Sequence, residues 1–395
     1  MAGRSVIVFL PDDTLKTGCD KPLFLQTVSG APLLKWLAYA LRASKVSRVF
    51  LACKPEHISQ ATACFPPQID VMTAQDENPA DLLHVFLSTA DEQEESVLTI
   101  LGPAVYAPQL AAQDPGARPI AANACTASRE ALMDALDEDT SLTQFFRDRG
   151  ASCTDRDGFF SVRSVADLAE WQPRLVRLRL TGLAQSGVEI WDYVSVFVSP
   201  EAQIGIGTVL MPGTIIQGAT TIGYGSIIGP NTHLIDCRIG NHTRVDSSRA
   251  EQVTVGNDAE IGPFANLRPG TSIGSKSKAG AFVELKNTTV GDSSSVPHLS
   301  YLGDAAVGSG VNIGCGTVTA NYDRVEKHPT VVENDAFVGC NTSLVAPVTV
   351  GEGAYVAAGS VITEDVPAQA LGIGRSRQSN RREWALKNKQ TEETP

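Results

Sequence analysis

The sequence lacks several features that define familiar functional classes. Its 395 residues contain no run of about 18 apolar residues, so no membrane-spanning helix is predicted. The eight cysteines form neither a CxxC pair nor a zinc-ligand spacing, which favours reduced thiols over a disulfide framework or a zinc site. With a formal net charge of −12, the chain has too little positive charge for a general nucleic-acid or anionic-membrane partner, although a local basic patch could still receive a phosphate.

The N-terminal segment has only a short apolar run, at residues 6–10, and lacks the long apolar region and cleavage site of a signal peptide. Together with the reduced thiols, this predicts a cytoplasmic location. The hydrophobic fraction of 43% and the length are instead sufficient for two or three globular domains with sizeable cores.

A six-residue repeat organises the second half of the chain. In each repeat an aliphatic residue is followed by a small residue and then by polar ones. The repeated positions are Ile204, Leu210, Ile216, Ile222, Ile228, Leu234, Ile261, Leu267, Ile273, Ala279, Leu285, Val332, Val338, Leu344, Val350, Val356 and Ile362. A period of six matches neither a helix nor simple strand alternation, and it is typical of a parallel β-helix with three hexads per coil. About 160 residues of such repeats predict a prism of about nine coils.

Two longer gaps interrupt the repeat. The step from Val245 to Val255 is ten residues, and the step from Thr319 to Val332 is thirteen. A solenoid accommodates insertions as loops extruded from a corner, and such loops often carry binding residues. The second gap, at residues 320–331, is rich in polar and charged side chains, and we expect a site there.

The first half of the chain predicts a different fold. Residues 1–163 have strand-like apolar runs at 5–10, 48–52 and 96–101 and a helical pattern at 32–43, which together favour an α/β domain with a parallel sheet. Residues 164–196 predict a helical linker, with Pro173 near a kink or a helix start. The prism is predicted at 197–374, and a polar, locally basic tail at 375–395.

Several short sequence motifs in the prism carry a specific resemblance. They are Ile261-Gly262-Pro263-Phe264-Ala265, Leu267-Arg268-Pro269-Gly270, Phe282-Val283-Glu284-Leu285-Lys286, His298-Leu299-Ser300-Tyr301-Leu302-Gly303-Asp304, Val311-Asn312-Ile313-Gly314, Asn321-Tyr322-Asp323, Leu344-Val345-Ala346-Pro347-Val348 and Asp365-Val366-Pro367. With these words the chain resembles the acetyltransferase half of the bifunctional N-acetylglucosamine-1-phosphate uridyltransferase/glucosamine-1-phosphate N-acetyltransferase family. The resemblance implies a left-handed β-helix of hexapeptide repeats, and a homotrimer with acetyl-CoA bound between neighbouring prisms.

The resemblance also implies roles for individual residues. His298 would be the general base that takes a proton from the acceptor amine, with Glu284 orienting its ring. The sugar phosphate would be bound by Arg268, Lys286, Tyr301, Asn312 and Lys327. Acetyl-CoA would contact Cys315, Asn321, Tyr322, Cys340, Ala358 and Arg375. No metal is expected for the acetyl transfer.

Purely structural explanations exist for the same residues. A lone histidine is more often a surface group than a base, and Glu284 and Lys286, which flank an inward Leu285, could simply pair with each other. Arg268 could belong to an ordinary corner, Asn321 and Tyr322 could only pack the loop, and the basic tail could only increase solubility.

Two positions depart from the family. A small residue and a serine are common where this chain has Cys315 and Cys340. Backbone contacts at the first position would tolerate a cysteine. At the second position the thiol is a weaker hydrogen-bond donor than a hydroxyl, so a slower enzyme is expected if that hydroxyl stabilises the oxyanion.

The first domain resembles a degenerate, Rossmann-like nucleotidyltransferase. The family has a glycine-rich phosphate loop after its first strand, whereas this chain has Pro11-Asp12-Asp13-Thr14-Leu15-Lys16-Thr17-Gly18. Gly102-Pro103 stands where the family has a metal-binding Gly-Asp. Two acids and a proline cannot cradle a polyphosphate, so uridyltransferase activity is predicted to be absent.

Alternatives to acetylation of glucosamine-1-phosphate remain open at this point. The acceptor could be another amino sugar, which the altered loop and Cys340 would permit. The chain could also be a non-catalytic scaffold that binds a sugar phosphate. A metal-dependent hexapeptide enzyme of the carbonic anhydrase type is disfavoured, because closely spaced histidines on adjacent coils are lacking.

Overall fold

The computed structural model of the chain describes residues 4–75, 79–91, 94, 96–107, 124–138, 140, 141, 144–146 and 159–385. The chain divides into two compact units, which are described separately. The first comprises residues 1–224 and 233–236, and the second comprises residues 225–232 and 237–395. The predicted tail therefore lies outside the described residues after residue 385.

The first unit begins with an α/β layer built on a mainly parallel sheet. The strands Asp70–Ala74, Val46–Cys53, Arg4–Leu10 and Ser96–Leu101 lie side by side in parallel, and Ala124–Ser128 pairs antiparallel with the last of them. The three predicted strands are confirmed, but the prediction of a purely parallel sheet missed this antiparallel edge.

Helices and short strand pairs complete the layer. The described helices are Thr14–Thr17, Leu33–Ala43, Ile58–Thr62, Ala80–Ser88, Arg129–Asp137 and Val165–Gln185, with 3-10 turns at Leu23–Leu25 and Pro55–His57. The short pairs are Thr27–Val28 with Ala31–Pro32, and Ala104–Tyr106 with Phe159–Ser161. The helix predicted at 32–43 is confirmed; it buries an apolar stripe that includes Leu34, Leu37 and Leu41 in the core of the layer.

The longest helix of this unit, Val165–Gln185, begins where the Ser164 side chain accepts a hydrogen bond from the Asp167 amide at 3.2 Å. Pro173 lies in the helix interior rather than at its start. The Trp171 ring packs on Phe160 with centroids 4.6 Å apart, which fixes the helix to the α/β layer. Among the described residues, no helix combines the length and the apolarity that crossing a membrane requires.

The first unit ends in β-helical coils. Their strands are Glu189–Ile190, Phe197–Val198, Gln203–Ile204, Val209–Leu210, Ile215–Gln217, Thr221–Ile222 and His233–Ile235. Strands from successive coils pair in parallel, with Ile216 opposite Val198 and Leu234. The side chains of Leu210, Ile216 and Leu234 are fully buried, as the repeat predicts.

The second unit is a three-sided stack of parallel strands. Sheet A contains Ile227–Ile228, Arg244–Val245, Glu260–Ile261, Lys278–Ala281, Ser295–His298, Asn312–Ile313, Phe337–Val338, Tyr355–Val356 and Leu371–Gly372. Sheet B contains Arg249–Glu251, Asn266–Leu267, Glu284–Lys286, Tyr301–Gly303, Val318–Ala320, Ser343–Val345 and Val361–Ile362. Sheet C contains Arg238–Ile239, Thr254–Val255, Ser272–Ile273, Thr289–Val290, Ala305–Val307, Thr330–Val332 and Val348–Val350. Each coil thus contributes one short strand to each side, and the backbone groups pair between coils.

The prediction of a loop between Val245 and Val255 is wrong. The strand Arg249–Glu251 lies in this gap and pairs with the next coil, with Ala250 opposite Leu267. The Ala250 side chain is 1% exposed and occupies the inward position of sheet B. The ten-residue step is therefore two steps of five, which was missed because a small residue off the six-residue spacing does not mark a repeat.

The second predicted loop is confirmed as an extrusion between sheets B and C. It connects Val318–Ala320 to Thr330–Val332, and both strands pair in register with neighbouring coils. The stack therefore continues past the insertion, and the loop is free to project side chains from the corner.

Candidate active site

Sheet B presents two outward columns of polar side chains. Leu267, Leu285 and Leu302 are buried and stack on one another, because the register places each opposite the next. The residues on either side of each leucine must then point outward. Arg268, Glu284, Lys286 and Tyr301 are the outward members that were predicted as site residues.

A salt bridge joins two of these side chains on adjacent coils. The Arg268 Nη1 atom lies 3.0 Å from Glu284 Oε1, and both side chains are about 40% exposed. Glu284 therefore pairs with Arg268, whereas the purely structural explanation predicts a pair with Lys286. Within the described residues, no hydrogen bond joins Glu284 to the His298 ring, so its proposed role of orienting that ring stays a prediction.

The extruded loop brings a second lysine to Lys286. Direct side-chain contact with Lys327, and then repulsion between the two ammonium groups, lowers the pKa of Lys286 below its ordinary value. Arg268 lowers it further, while Asp304 acts in the opposite direction. Three cations therefore converge on one outward surface, as expected of a site for a dianionic group.

Asp304 anchors the loop against sheet B. Its carboxylate accepts hydrogen bonds from the side-chain amides of Asn287 at 2.8 Å and Asn321 at 2.5 Å. Partial burial raises the pKa of Asp304, but these two amides and the nearby Lys327 and Lys286 outweigh it, so the pKa lies below its ordinary value. No role was predicted for Asp304, although it closes one of the quoted sequence words.

The loop is shaped by its own acid. Asp323 Oδ1 accepts hydrogen bonds from the amides of Val325 at 2.8 Å and Glu326 at 2.7 Å, while Oδ2 lies 2.8 Å from His328 Nε2. These bonds hold the pKa of Asp323 well below its ordinary range, and the bond from the Glu326 amide has the largest effect. The loop is therefore organised as a tight turn that presents Lys327.

Tyr322 and Asn321, predicted to contact acetyl-CoA, lie at the base of this loop. Tyr322 is 61% exposed, and its hydroxyl donates to the Arg324 carbonyl oxygen at 2.8 Å. Asn321 is 8% exposed, and its backbone carbonyl oxygen accepts a hydrogen bond from the His328 amide. The structure thus groups both residues with the cation cluster.

The Tyr301 hydroxyl lies over a glycine of the same strand. A Cβ atom at Gly303 would come within 2.4 Å of that hydroxyl and 2.9 Å of the Asn321 amide nitrogen. A side chain at residue 303 would therefore displace the Tyr301 hydroxyl and the Asn321 amide from these positions.

The remaining predicted residues form a column at the corner between sheets A and B. Ser295 lies opposite Asn312, Ile313 opposite Val338, and Val338 opposite Val356. Counting forward along each coil from these pairs places four predicted residues one above another: His298, Cys315, Cys340 and Ala358. Adjacent strands are spaced by about 4.8 Å, so these residues are close neighbours along the corner.

Close backbone approaches support the column. A Cβ at Gly314 would lie 2.5 Å from the Cys340 amide nitrogen, and one at Gly339 would lie 2.5 Å from that of Ala358. A Cβ at Gly359 would lie 3.7 Å from Arg375 Cδ, so Arg375 continues the same edge. Both cysteines are free thiols, and Cys340 is exposed.

His298 connects the corner column to the sheet B surface. It ends the strand Ser295–His298 opposite Ala281, its side chain is exposed, and three residues later Tyr301 begins the next strand of sheet B. Its ring forms no hydrogen bond within the described part of the chain. Asn312 lies outward on sheet A, between Ser295 and Phe337.

The phosphate-loop position of the first unit is occupied by its own side chains. Asp12 Oδ1 accepts the Thr14 amide at 3.0 Å, and Asp13 Oδ1 accepts the Leu23 amide at 2.9 Å. Lys54 Nζ lies 2.6 Å from Asp12 Oδ2. This contact is the largest of the causes that hold the pKa of Asp12 well below its ordinary range. Amides and a cation that could hold phosphates are thus already paired with carboxylates.

The same region contains a cluster of possible metal ligands. Ligand atoms of Asp12, Glu56 and His57 lie within 4.8 Å of one another. Lys54 already neutralises Asp12, so the cluster is not an uncompensated acidic site.

Comparison with known proteins agrees with the prism. A match to the family described as bacterial transferase hexapeptide (six repeats) covers residues 329–364. The Bifunctional protein GlmU of Brevibacillus brevis is 45% identical over 238 residues, which are 60% of this chain and 52% of that protein. That of Geobacillus sp. is 52% identical over 199 residues, which are 50% of this chain and 43% of that protein. Over this part of its length, the chain is similar in sequence to the GlmU proteins.

The chain spans only about half the length of these GlmU relatives. The resemblance and the predicted fold, an α/β domain followed by a left-handed parallel β-helix of hexapeptide repeats, are nevertheless confirmed. Among solved structures, the UDP-N-acetylglucosamine acyltransferase of Francisella novicida is 17% identical and covers 51% of this chain and 73% of its own, with a TM-score of 0.29. That score is too low to support an argument about function.

Proposed function

We propose that the chain N-acetylates glucosamine-1-phosphate, with acetyl-CoA as acyl donor and N-acetylglucosamine-1-phosphate as product. The observation that carries this proposal is the position of His298. It lies at the junction between the cationic surface of Arg268, Lys286 and Lys327 and the corner column of Cys315, Cys340 and Ala358. A base at such a junction can serve an acceptor held on one side and an acyl donor held on the other.

In the proposed reaction, the three cations bind the phosphate of the acceptor, and Tyr301 and Asn312 contact its sugar ring. His298 accepts a proton from the amine as the amine nitrogen attacks the thioester carbonyl carbon. The nitrogen–carbon bond forms, the carbon–sulfur bond breaks, and the thiol of coenzyme A leaves with a proton. Acetyl-CoA supplies the activated acetyl group, and the exposed corner formed by Cys315, Cys340, Ala358 and Arg375, with Asn321 and Tyr322 nearby, is where we propose that it binds.

Asp304 supports this mechanism without contacting the reacting atoms. It balances the charges of Lys286 and Lys327, and it fixes Asn321 at the base of the loop. We propose that Asp304 positions Lys327 for the phosphate. The Arg268–Glu284 pair similarly holds the guanidinium in place.

The test measures the release of free coenzyme A from acetyl-CoA in the presence of glucosamine-1-phosphate. A thiol reagent detects the coenzyme A that is released. Wild-type protein should turn over, and His298→Ala should lose at least about a hundredfold in kcat, as expected for a general base. His84→Ala is the matched control, because that histidine is partly exposed and its ring pairs with Asp137, away from the candidate site. Full turnover by His298→Ala, or none by the wild type, would refute the proposal.

A different amino sugar is the second candidate acceptor, and it is favoured by Cys340, which is exposed in the corner column. Measuring kcat/KM with glucosamine-1-phosphate, glucosamine-6-phosphate and unphosphorylated glucosamine separates the candidates. The cation cluster predicts that unphosphorylated glucosamine is the poorest acceptor. Saturable binding of all three without turnover would instead favour the scaffold hypothesis.

We also propose that the first unit lacks uridyltransferase activity. The pairing of Asp12 with Lys54 and with the Thr14 amide supports this, as does Gly102-Pro103, which offers no carboxylate after the strand Ser96–Leu101. Pyrophosphate release from UTP and N-acetylglucosamine-1-phosphate, above a blank without protein, would refute it.

Three further properties belong to the same proposal. A homotrimer is supported by the exposed, stacked rings of Phe264 and Phe282, 5.1 Å apart, next to the corner column. A cytoplasmic location is supported by the free thiols of the described cysteines. The predicted domain boundaries, 1–163, 164–196, 197–374 and 375–395, also remain proposals. Light scattering coupled to size exclusion tests the trimer, and a monomer in the presence of acetyl-CoA would contradict it.

A further inference from the structure

The first unit contains a cavity of about 630 Å³ that the proposed acetyl transfer does not use. Two helices of that unit, Leu33–Ala43 and Val165–Gln185, form its walls. The side chains that matter are Trp36, Tyr39 and Arg42 on the first helix, and Arg174, Arg177 and Arg179 on the second. A volume of this size lies within the range of about 300–1,000 Å³ that small-molecule sites occupy.

The cavity wall is strongly cationic. Four arginines line it, and none of the described lining residues is a carboxylate. In a chain with a net charge of −12, such a concentration of positive charge is opposite to the average of the protein. Anionic ligands are therefore the ones that this wall attracts.

Two of the four arginines already have partners. Arg174 pairs with Glu170 at 2.9 Å and lies over the Trp171 ring. Arg179 donates hydrogen bonds to the backbone carbonyl oxygens of Ser199 and Ala202. These contacts hold the wall in shape. Glu170 offsets the charge of Arg174, whereas the carbonyl partners of Arg179 leave its charge beside the cavity.

The other two arginines are available. The side chains of Arg42 and Arg177 are exposed, and neither guanidinium forms a hydrogen bond or an ion pair within the described part of the chain. A guanidinium group presents a planar set of donors that matches the oxygens of a phosphate. One free arginine on each helix can thus hold one phosphate from two sides.

The aromatic part of the wall is fixed in position. Trp36 Nε1 donates to the Val28 carbonyl oxygen at 2.9 Å. Tyr106, which also lines the cavity, stacks on Phe159 with ring centroids 4.3 Å apart. Tyr39 also lines the cavity and is half-buried. Such pre-set rings favour a ligand that has a flat group of its own.

A glycine lies in the wall of the cavity. Gly182 lies inside the helix Val165–Gln185 and lines the cavity, and a Cβ atom built there meets no heavy atom within 4 Å. The φ angle of Gly182 is not positive. Neither close packing nor backbone conformation therefore requires glycine, which is unfavourable in a helix interior. Because Gly182 lines the cavity, a large side chain at this position can occupy part of its space.

We infer that this cavity binds a phosphorylated small molecule that carries a flat ring, of which a nucleoside monophosphate is the simplest representative. Arg42 and Arg177 bind the phosphate, and the ring lies against Tyr39 and Trp36 above Gly182. The site is independent of the proposed acetyl transfer, because every residue that forms it belongs to the first unit.

Equilibrium dialysis of the full chain with UMP, CMP, AMP, GMP and inorganic phosphate tests this inference. At least one nucleotide should bind saturably and more tightly than inorganic phosphate. The double variant Arg42→Gln/Arg177→Gln should weaken its binding by at least about tenfold, since two charge-assisted contacts are lost. Gly182→Leu, which fills the cavity with a residue that favours helix, should abolish binding.

Two controls separate this cavity from other places that could bind a nucleotide. Lys54→Gln, at the degenerate phosphate loop, should bind like the wild type, and circular dichroism should show unchanged folding of all variants. The inference is overturned if none of the five probes binds, if inorganic phosphate binds as tightly as every nucleotide, or if folded Gly182→Leu or the double variant binds like the wild type. Loss of binding in Lys54→Gln alone would place the nucleotide at the loop and would also contradict it.

Discussion

Leu285→Ala tests how the prism supports the candidate site. Leu285 is fully buried between Leu267 and Leu302, and its neighbours in sequence are Glu284 and Lys286. The substitution removes three carbon atoms from the core. At about 0.8 kcal/mol for each buried methylene-sized group, the transfer contribution is about 2.4 kcal/mol.

The cavity left behind adds to this loss. The flanking backbone is held by hydrogen bonds from the Arg268 amide to the Leu285 carbonyl oxygen, and from the Glu284 amide to the Ser300 carbonyl oxygen, each 2.9 Å. The coils therefore have little freedom to close the gap. We expect a total destabilisation of about 3–4 kcal/mol, within the range known for buried leucines.

Urea unfolding followed by far-ultraviolet circular dichroism measures this change in the free energy of unfolding. Val318→Ala is the matched control, because Val318 lies on the same sheet but points outward and is 40% exposed. It should cost less than about 0.5 kcal/mol. A loss below about 1 kcal/mol in Leu285→Ala, or equal losses in both variants, would refute the assignment of inward and outward positions on sheet B.

Three further predictions concern the site itself. Lys286→Gln should raise KM for glucosamine-1-phosphate by roughly tenfold and change kcat much less, whereas Lys276→Gln, an exposed lysine of the same unit, should change neither. Asn321→Ala should lower stability near neutral pH and make it less sensitive to acid: the depressed pKa of Asp304 contributes stability above its ordinary pKa, and this stability is lost as pH falls through the folded-state pKa. Because the variant raises that pKa towards its unfolded value, its melting temperature should lie below that of the wild type at pH 7, and the difference should narrow as pH falls. Cys340→Ser should increase kcat several-fold, because a hydroxyl is the stronger hydrogen-bond donor.

Each of these predictions can fail in a distinct way. A change in kcat alone for Lys286→Gln would remove this lysine from phosphate binding. Melting curves of Asn321→Ala that parallel the wild type from pH 3 to 6 would show that the amide does not control Asp304. If Cys340→Ser and Cys340→Ala had equal kcat values, no hydrogen bond from this position would assist the reaction.

The regular part of the prism was predictable because its core uses one inward residue in every five or six. The prediction failed where a small residue coincides with two five-residue steps: Ala250 fills an inward position, whereas Ala279, on the six-residue spacing, was recognised. Backbone pairing with Leu267, rather than side-chain size, keeps this coil in register.

The composition of the candidate site was also predictable, since the sequence words carry it, but its connections were not. Glu284 pairs across the coils with Arg268, and Asp304 links two asparagines that lie 34 residues apart in the chain. Such contacts depend on which coil lies next to which, and the loop insertion changes that spacing. The resemblance implied that Lys327 and Lys286 bind the same phosphate, but the contact between their side chains is visible only in the structure.

The most direct test of the central claim is the initial rate of coenzyme A release with glucosamine-1-phosphate, measured for wild type, His298→Ala and Lys286→Gln under the same conditions. We predict turnover by the wild type, loss of kcat in His298→Ala, and a raised KM for the sugar phosphate with nearly unchanged kcat in Lys286→Gln. Equal kcat and KM values for all three proteins would contradict the assignment of His298 and the cationic surface to one active site.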